Sequence, residues 1–336
     1  MQRINSNMKE RLIWLDAVKG YGILLIMWSH HIDIEWDYWY ILTMAYITLF
    51  FLTSGIMIKG KDVDMSKKAK RLLIPYFFYG ILFFVADLFI TKLTGGEMGG
   101  AKLWGLLYGK ISYLKSYSEE NILLIPYLRP LWFLPCMFAA YSYYKIYLLA
   151  VKISQMLGYA VLSIFLLLSL YCVNIPYQLP FSLDSAGLMC LFLFLGKELR
   201  DYIHLKGFLI ALCVAIFFVL ALINGDVNIS VCHYGALGWR SVFLMIPISV
   251  LYFLIITNIF KRHESLLLVR MFAFLGRHSL RLMCIHVFIF AIADDFLYRM
   301  SLNLFIIDLP IVIFMVMFIE RIVQKCKDRI PILSYI

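Results

Sequence analysis

About ten times along this chain the residues run apolar for roughly 20 positions, separated by short polar or basic stretches. Runs of that length cross a bilayer as helices, since ~20 residues at ~1.5 Å each match the hydrocarbon core. Their sum is a chain of 336 residues that is 63% hydrophobic, with a mean hydropathy of +0.84, far from a soluble domain. The expectation is an all-α integral membrane protein: one domain over residues 1–336, a bundle of about ten transmembrane helices. Spans are expected near 12–31, 38–58, 72–91, 130–149, 157–174, 183–197, 207–223, 239–259, 279–298 and 303–320.

The net charge of +10 is explained by topology, so nucleic acid is not an expected partner. If both termini are cytoplasmic, 21 Lys and Arg lie in inner segments, seven in outer segments and three within spans. Such an excess is what the positive-inside rule requires. The densest cluster, residues 59–71, reads as an inner loop that also attracts anionic membrane lipids. The seven cysteines stand singly, without a CxxC pair or a metal-ligand spacing, and no metal site is expected. The first apolar run is too long and too interrupted by charge for a cleavable signal.

That first run, residues 11–31, carries Asp16, Lys19 and the pair His30–His31. Ionisable groups inside a span are costly and mark functional sites. On a helix Asp16, Lys19, Ile23, Met27 and His30 form one stripe, with Asp16 and His30 ~21 Å apart along the axis. The bland alternative is an i,i+3 ion pair at one interface and histidines at the other. His31 points ~100° away from the stripe. His204, His263 and His278 fall in inner basic loops and His233 in an outer one, where they are expected to be solvated. His286 lies in a late span, as an active-site group or as a packing histidine bonded across the bundle. Trp14, Trp36, Trp39, Trp104, Trp132 and Trp239 fall at span ends, as an interfacial aromatic belt does.

Four motifs in order resemble the membrane acyltransferase family three, the O-acyltransferases of polysaccharides and related glycans. They are Leu15–Asp16 with Lys19–Gly20 and then His30; KKAKRLLIPYFFYG, a basic loop entering a proline-containing span; RPLWFLPCMF at Arg129–Phe138; and LGRHSLRLMCIHVF, with Gly276, Ser279 and His286. Lys19, where Arg is commoner, looks like the fucose 4-O-acetylase-like branch. Met283 stands where the family usually has Tyr, three residues before the late histidine.

The resemblance implies a multi-pass enzyme of the bacterial cytoplasmic membrane. It would take acetyl-CoA as cosubstrate, with no bound cofactor, and acylate a hydroxyl of a glycan or lipid-linked sugar. Acyl transfer needs a base and oxyanion donors. Imidazole titrates near neutrality, so His30 is the expected base, with Asp16 and Lys19 serving the inner half of the path. Lys67, Lys70 and Arg71 are expected to grip coenzyme A phosphates. Trp132, Ser279 and His286 are further active-site candidates, Trp132 as a ring on which a sugar stacks. The other class considered is a transporter or flippase for a glycan precursor, in which the same stripe lines a translocation path; no clear internal repeat supports it.

Overall fold

A computed structural model describes residues 12–30, 46–58, 60, 62–94, 103–110, 112–114, 130–224, 238–298, 305–326 and 335. Among them there is no strand, only a single antiparallel bridge between Leu114 and Tyr177. The helices are α1 (Ile13–Ser29), α2 (Tyr46–Ile56), α3 (Met65–Thr94), α4 (Leu103–Tyr108), α5 (Phe133–Ile153) and α6 (Gln155–Cys172), followed by α7 (Leu183–Glu198), α8 (Gly207–Asn224), α9 (Gly238–Arg262), α10 (Leu267–Arg277), α11 (Ser279–Tyr298) and α12 (Phe305–Cys326). Four described helices are long and apolar enough to cross a membrane, or five if the bent pair α10–α11 is one span. His31, Trp36, Trp39, Arg129, His233 and the start of the second expected span lie outside the described residues.

α1 is the axis of the bundle. Its apolar side chains are buried nearly all round, from Trp14 to Met27, because α2, α9, α10 and α11 all pack on it. A helix apolar on every face can reach this state only inside other helices or lipid. The tightest crossings have glycine on both sides. A Cβ on Gly20 would lie 1.7 Å from the Phe272 carbonyl oxygen, and one on Gly276 would lie 1.7 Å from that of Asp16. Gly55 of α2 and Gly196 of α7 make a second crossing of this kind. Small residues allow such backbone contact where no hydrophobic force drives helices together in lipid.

Two expectations about loops are corrected. Residues 65–71 are the start of α3 rather than loop, because Asp64 Oδ1 accepts a hydrogen bond from the Lys67 backbone N–H at 3.0 Å and so caps the helix ahead of the apolar run. The stretch before Arg277 is also helical: α10 meets α11 at an 80° bend at His278. His278 is not solvated. Its Nδ1 lies 2.9 Å from Glu320 of α12, and Arg281 Nη1 reaches the other oxygen of that carboxylate at 3.3 Å. The bend is thereby tied to the last helix.

Candidate active site

The glycine crossing positions the first half of the site. With Gly20 and Gly276 in backbone contact, the Asp16–Lys19 turn of α1 lies against the end of α10 and the start of α11. Between them is a cavity of about 200 Å³, walled by α1, α2, α3, α5, α10 and α11. Asp16 and Lys19, 4.0 Å apart, face it from α1; Lys68 and Arg71 from α3; Arg277 and Ser279 from the bend. Among the described residues, four cations thus surround one carboxylate. Ser279 is the first residue of α11, so that helix's positive end opens on the same space. The Lys68 ammonium sits 3.7 Å over the Tyr141 ring, which holds it at the wall by cation–π attraction. The arrangement suits a multiply charged anion, and Leu280, Met283 and Phe133 give it an apolar inner end.

The second half lies further along the same two helices. Ile23 and Met27 are fully buried above the Asp16–Lys19 turn, and His30 follows as the C-cap of α1. His30 Nδ1 is 2.8 Å from His286 Nε2, and the rings stack with centroids 5.1 Å apart. His286 is 0% exposed, whereas His30 is exposed. The hydrogen bonds set the tautomers. His286 Nδ1 lies 2.8 Å from the Leu282 carbonyl oxygen, which only accepts. His286 Nδ1 therefore carries the hydrogen, its Nε2 accepts, and His30 Nδ1 donates. In neutral His30 the other nitrogen, Nε2, is then the basic one. His286 follows Met283 by three residues, ~4.5 Å along the axis, so the histidine pair is one turn beyond the apolar end of the cavity.

The remaining expected residues divide. Arg71 faces the cavity, but Lys67 is turned to solvent, its Nζ 3.0 Å from Asp64, and Lys70 is exposed and not in the lining. Lys68 takes the place expected of them. The inward stripe of α3 runs Leu72, Tyr76, Tyr79 and Phe83, all buried; four residues before Leu72 is Lys68, so the signal was present in the spacing. Trp132 is buried outside the cavity, with the Lys110 ammonium 5.8 Å from its ring. Lys110 in turn lies 3.5 Å from Asp184 at the start of α7, both side chains buried. Sequence reasoning missed Arg277, Lys110 and Asp184. Arg277 adjoins Gly276 in the quoted motif, and Asp184 is an acid within an apolar span, the same signal that marked Asp16.

A family model described as an acyltransferase domain matches residues 12–320. The chain belongs to acyltransferase family 3. That membership covers every side chain of the cavity and both histidines. No curated protein and no solved structure matches the chain. As a family 3 acyltransferase it joins an anion-suited cavity to a paired imidazole within one bundle. Among the described residues, no three His, Cys, Asp or Glu are grouped to hold a metal.

Proposed function

We propose that this membrane acyltransferase moves an acetyl group from acetyl-CoA to a hydroxyl of a glycan or lipid-linked sugar, with His30 as general base. The observation that carries the reading is the His30–His286 pair, set one turn beyond a cavity of cations on the same two helices. By the positive-inside rule the cation-rich end faces the cytoplasm, where the donor is made, and the family resemblance implies that the membrane is a bacterial inner membrane. Lys68, Arg71, Arg277 and Lys19 face the phosphates, and Arg71 and Arg277 offer paired donors. The pantetheine arm runs past Met283 towards His286. At His30 the acceptor oxygen bonds to the thioester carbonyl carbon and the carbon–sulfur bond breaks. His30 Nε2 takes the hydroxyl proton and passes it to the leaving thiolate. The His286 imidazole, accepting from Nδ1, fixes the ring and stabilises the imidazolium, much as a carboxylate does in an acyl-transfer triad. Lys19 in the first motif supports the fucose 4-O-acetylase-like branch.

The test is His30→Ala in purified protein. Transfer should fall by about two to four orders of magnitude, the scale of a lost general base, with protein level and acetyl-CoA binding retained. Unchanged transfer in that variant would refute the assignment. Movement of a glycan precursor by a wild-type protein that never consumes acetyl-CoA would identify a transporter instead.

A further inference from the structure

On the other side of α1 from the cavity is a larger space that acyl transfer does not use. Leu24 and Trp28 form one wall; Trp28 is nine residues from Lys19 and so points nearly opposite to it on the helix. Met271 of α10 is the floor, and α12 supplies the other wall from Pro310 through Phe314 to Arg321. α12 packs against α11 and leaves this gap against α1. Its volume is about 1110 Å³, beyond the ~300–1,000 Å³ of ordinary small-molecule sites. Left unfilled, a gap of that size would forfeit the dispersion contacts of its walls.

Three observations identify what fills it. The outer wall faces away from the protein, since Phe314 is 68% exposed; with residues 303–320 as an expected span, that direction is hydrocarbon. Pro310 and Arg321 are eleven residues apart, ~16 Å along the helix, about half of the ~30 Å core and hence one leaflet deep. Among the described lining residues Arg321 is the one charge, and it stands at a single end. That is the cation-rich end, because the neighbouring Glu320 is bound by His278 and Arg281 at the bend beside Arg277. The adjacent acid is thus engaged by His278 and Arg281 rather than by Arg321.

We propose that this groove binds one anionic phospholipid of the leaflet at the cation-rich end. Its phosphate lies on Arg321 and its acyl chains run along α12 to Trp28, wedged between α1 and α12. The guanidinium selects anionic over zwitterionic headgroups, and the apolar walls take any chain. The site does not depend on the acyl-transfer reading.

Trp28 reports on the groove directly. The full-length protein is reconstituted in phosphatidylcholine vesicles doped with brominated phosphatidylglycerol or brominated phosphatidylcholine. The Trp28 signal is the difference between wild type and Trp28→Phe. One guanidinium near a membrane surface is worth about fivefold in favour of an anionic lipid. Half-quenching should therefore come at about fivefold less phosphatidylglycerol than phosphatidylcholine. Arg321→Gln should bring the two curves together, and Arg321→Lys should keep most of the difference. Equal quenching by both lipids in wild type would mean ordinary boundary lipid and overturn the proposal. So would a preference that survives Arg321→Gln, which would place headgroup recognition elsewhere. A Trp28 signal that neither lipid quenches would mean that protein covers the groove, as in association of two copies, and would overturn it too.

Discussion

Replacing Gly276 by alanine tests the step that assembles the site. The new Cβ would lie 1.7 Å from the Asp16 carbonyl oxygen, and 2.8 Å from the backbone nitrogen of Gly20. Reaching the 3.0 Å that real Cβ contacts respect requires a shift of about 1.3 Å. Both neighbours are helix backbone, so no side chain can swing aside and the helices must part. Overpacking of this kind costs ~1–3 kcal/mol of stability. The functional loss should be larger. Parting α1 from α10 draws Asp16 and Lys19 away from Arg277 and Ser279, and a displacement of ~1 Å costs about 10²-fold in a positioned reaction. The assay is kcat/KM for the proposed acetyl-CoA-dependent transfer beside denaturant unfolding in detergent. Gly20→Ala should behave alike, since its Cβ meets the Phe272 oxygen at the same distance. The double variant should cost less than the sum, because one parting relieves both clashes. Wild-type stability and rate in Gly276→Ala, or full additivity in the double, would refute the idea that this contact sets the site.

Three further outcomes are expected. Lys68→Gln and Arg71→Gln should each raise the KM for acetyl-CoA, the proposed donor, about tenfold, the ~1.5 kcal/mol of a charge-assisted contact, while Lys67→Gln and Lys70→Gln change it little; steady-state kinetics on the four variants decide it. Lys110→Met should destabilise the fold by ~3–5 kcal/mol by leaving Asp184 buried without its cation, and Lys110→Met with Asp184→Leu should recover part of that; unfolding of the single and double variants shows whether the pair is coupled. The Asp62 carboxyl is held below its usual range, first by its hydrogen bond with Lys145. A depressed acid contributes stability above its unfolded pKa and loses it as pH falls through the folded one. Lys145→Met should therefore move the Asp62 titration up towards 3.8, read by carboxyl NMR.

The sequence by itself determined what is local along the chain. Apolar runs and basic punctuation give the helices, and α5, α6, α7 and α8 start and end within a few residues of the expected spans. That Asp16, Lys19, Ile23, Met27 and His30 share one face of α1 was legible too, because a 3.6-residue period places them on one stripe whatever surrounds it. The four motifs indicated the family, which the match over residues 12–320 supports. Helix phase was legible in principle: the inward stripe of α3 selects Lys68, and was missed because the segment looked like a charged loop until Asp64 was seen to cap it.

The tertiary structure alone decided what depends on partners. His30 and His286 are 256 residues apart, and no spacing rule says that one imidazole fixes the tautomer of the other. His278 looked like a loop residue because Glu320, its partner, is on another helix. Gly20 and Gly276 were visible as motif letters, but their reason is a backbone contact between two helices far apart in sequence. Hydropathy and period are properties of a segment and its solvent. Contacts across a bundle depend on which helices meet and at what rotation, and in lipid that is settled by packing, with no hydrophobic pattern to record it.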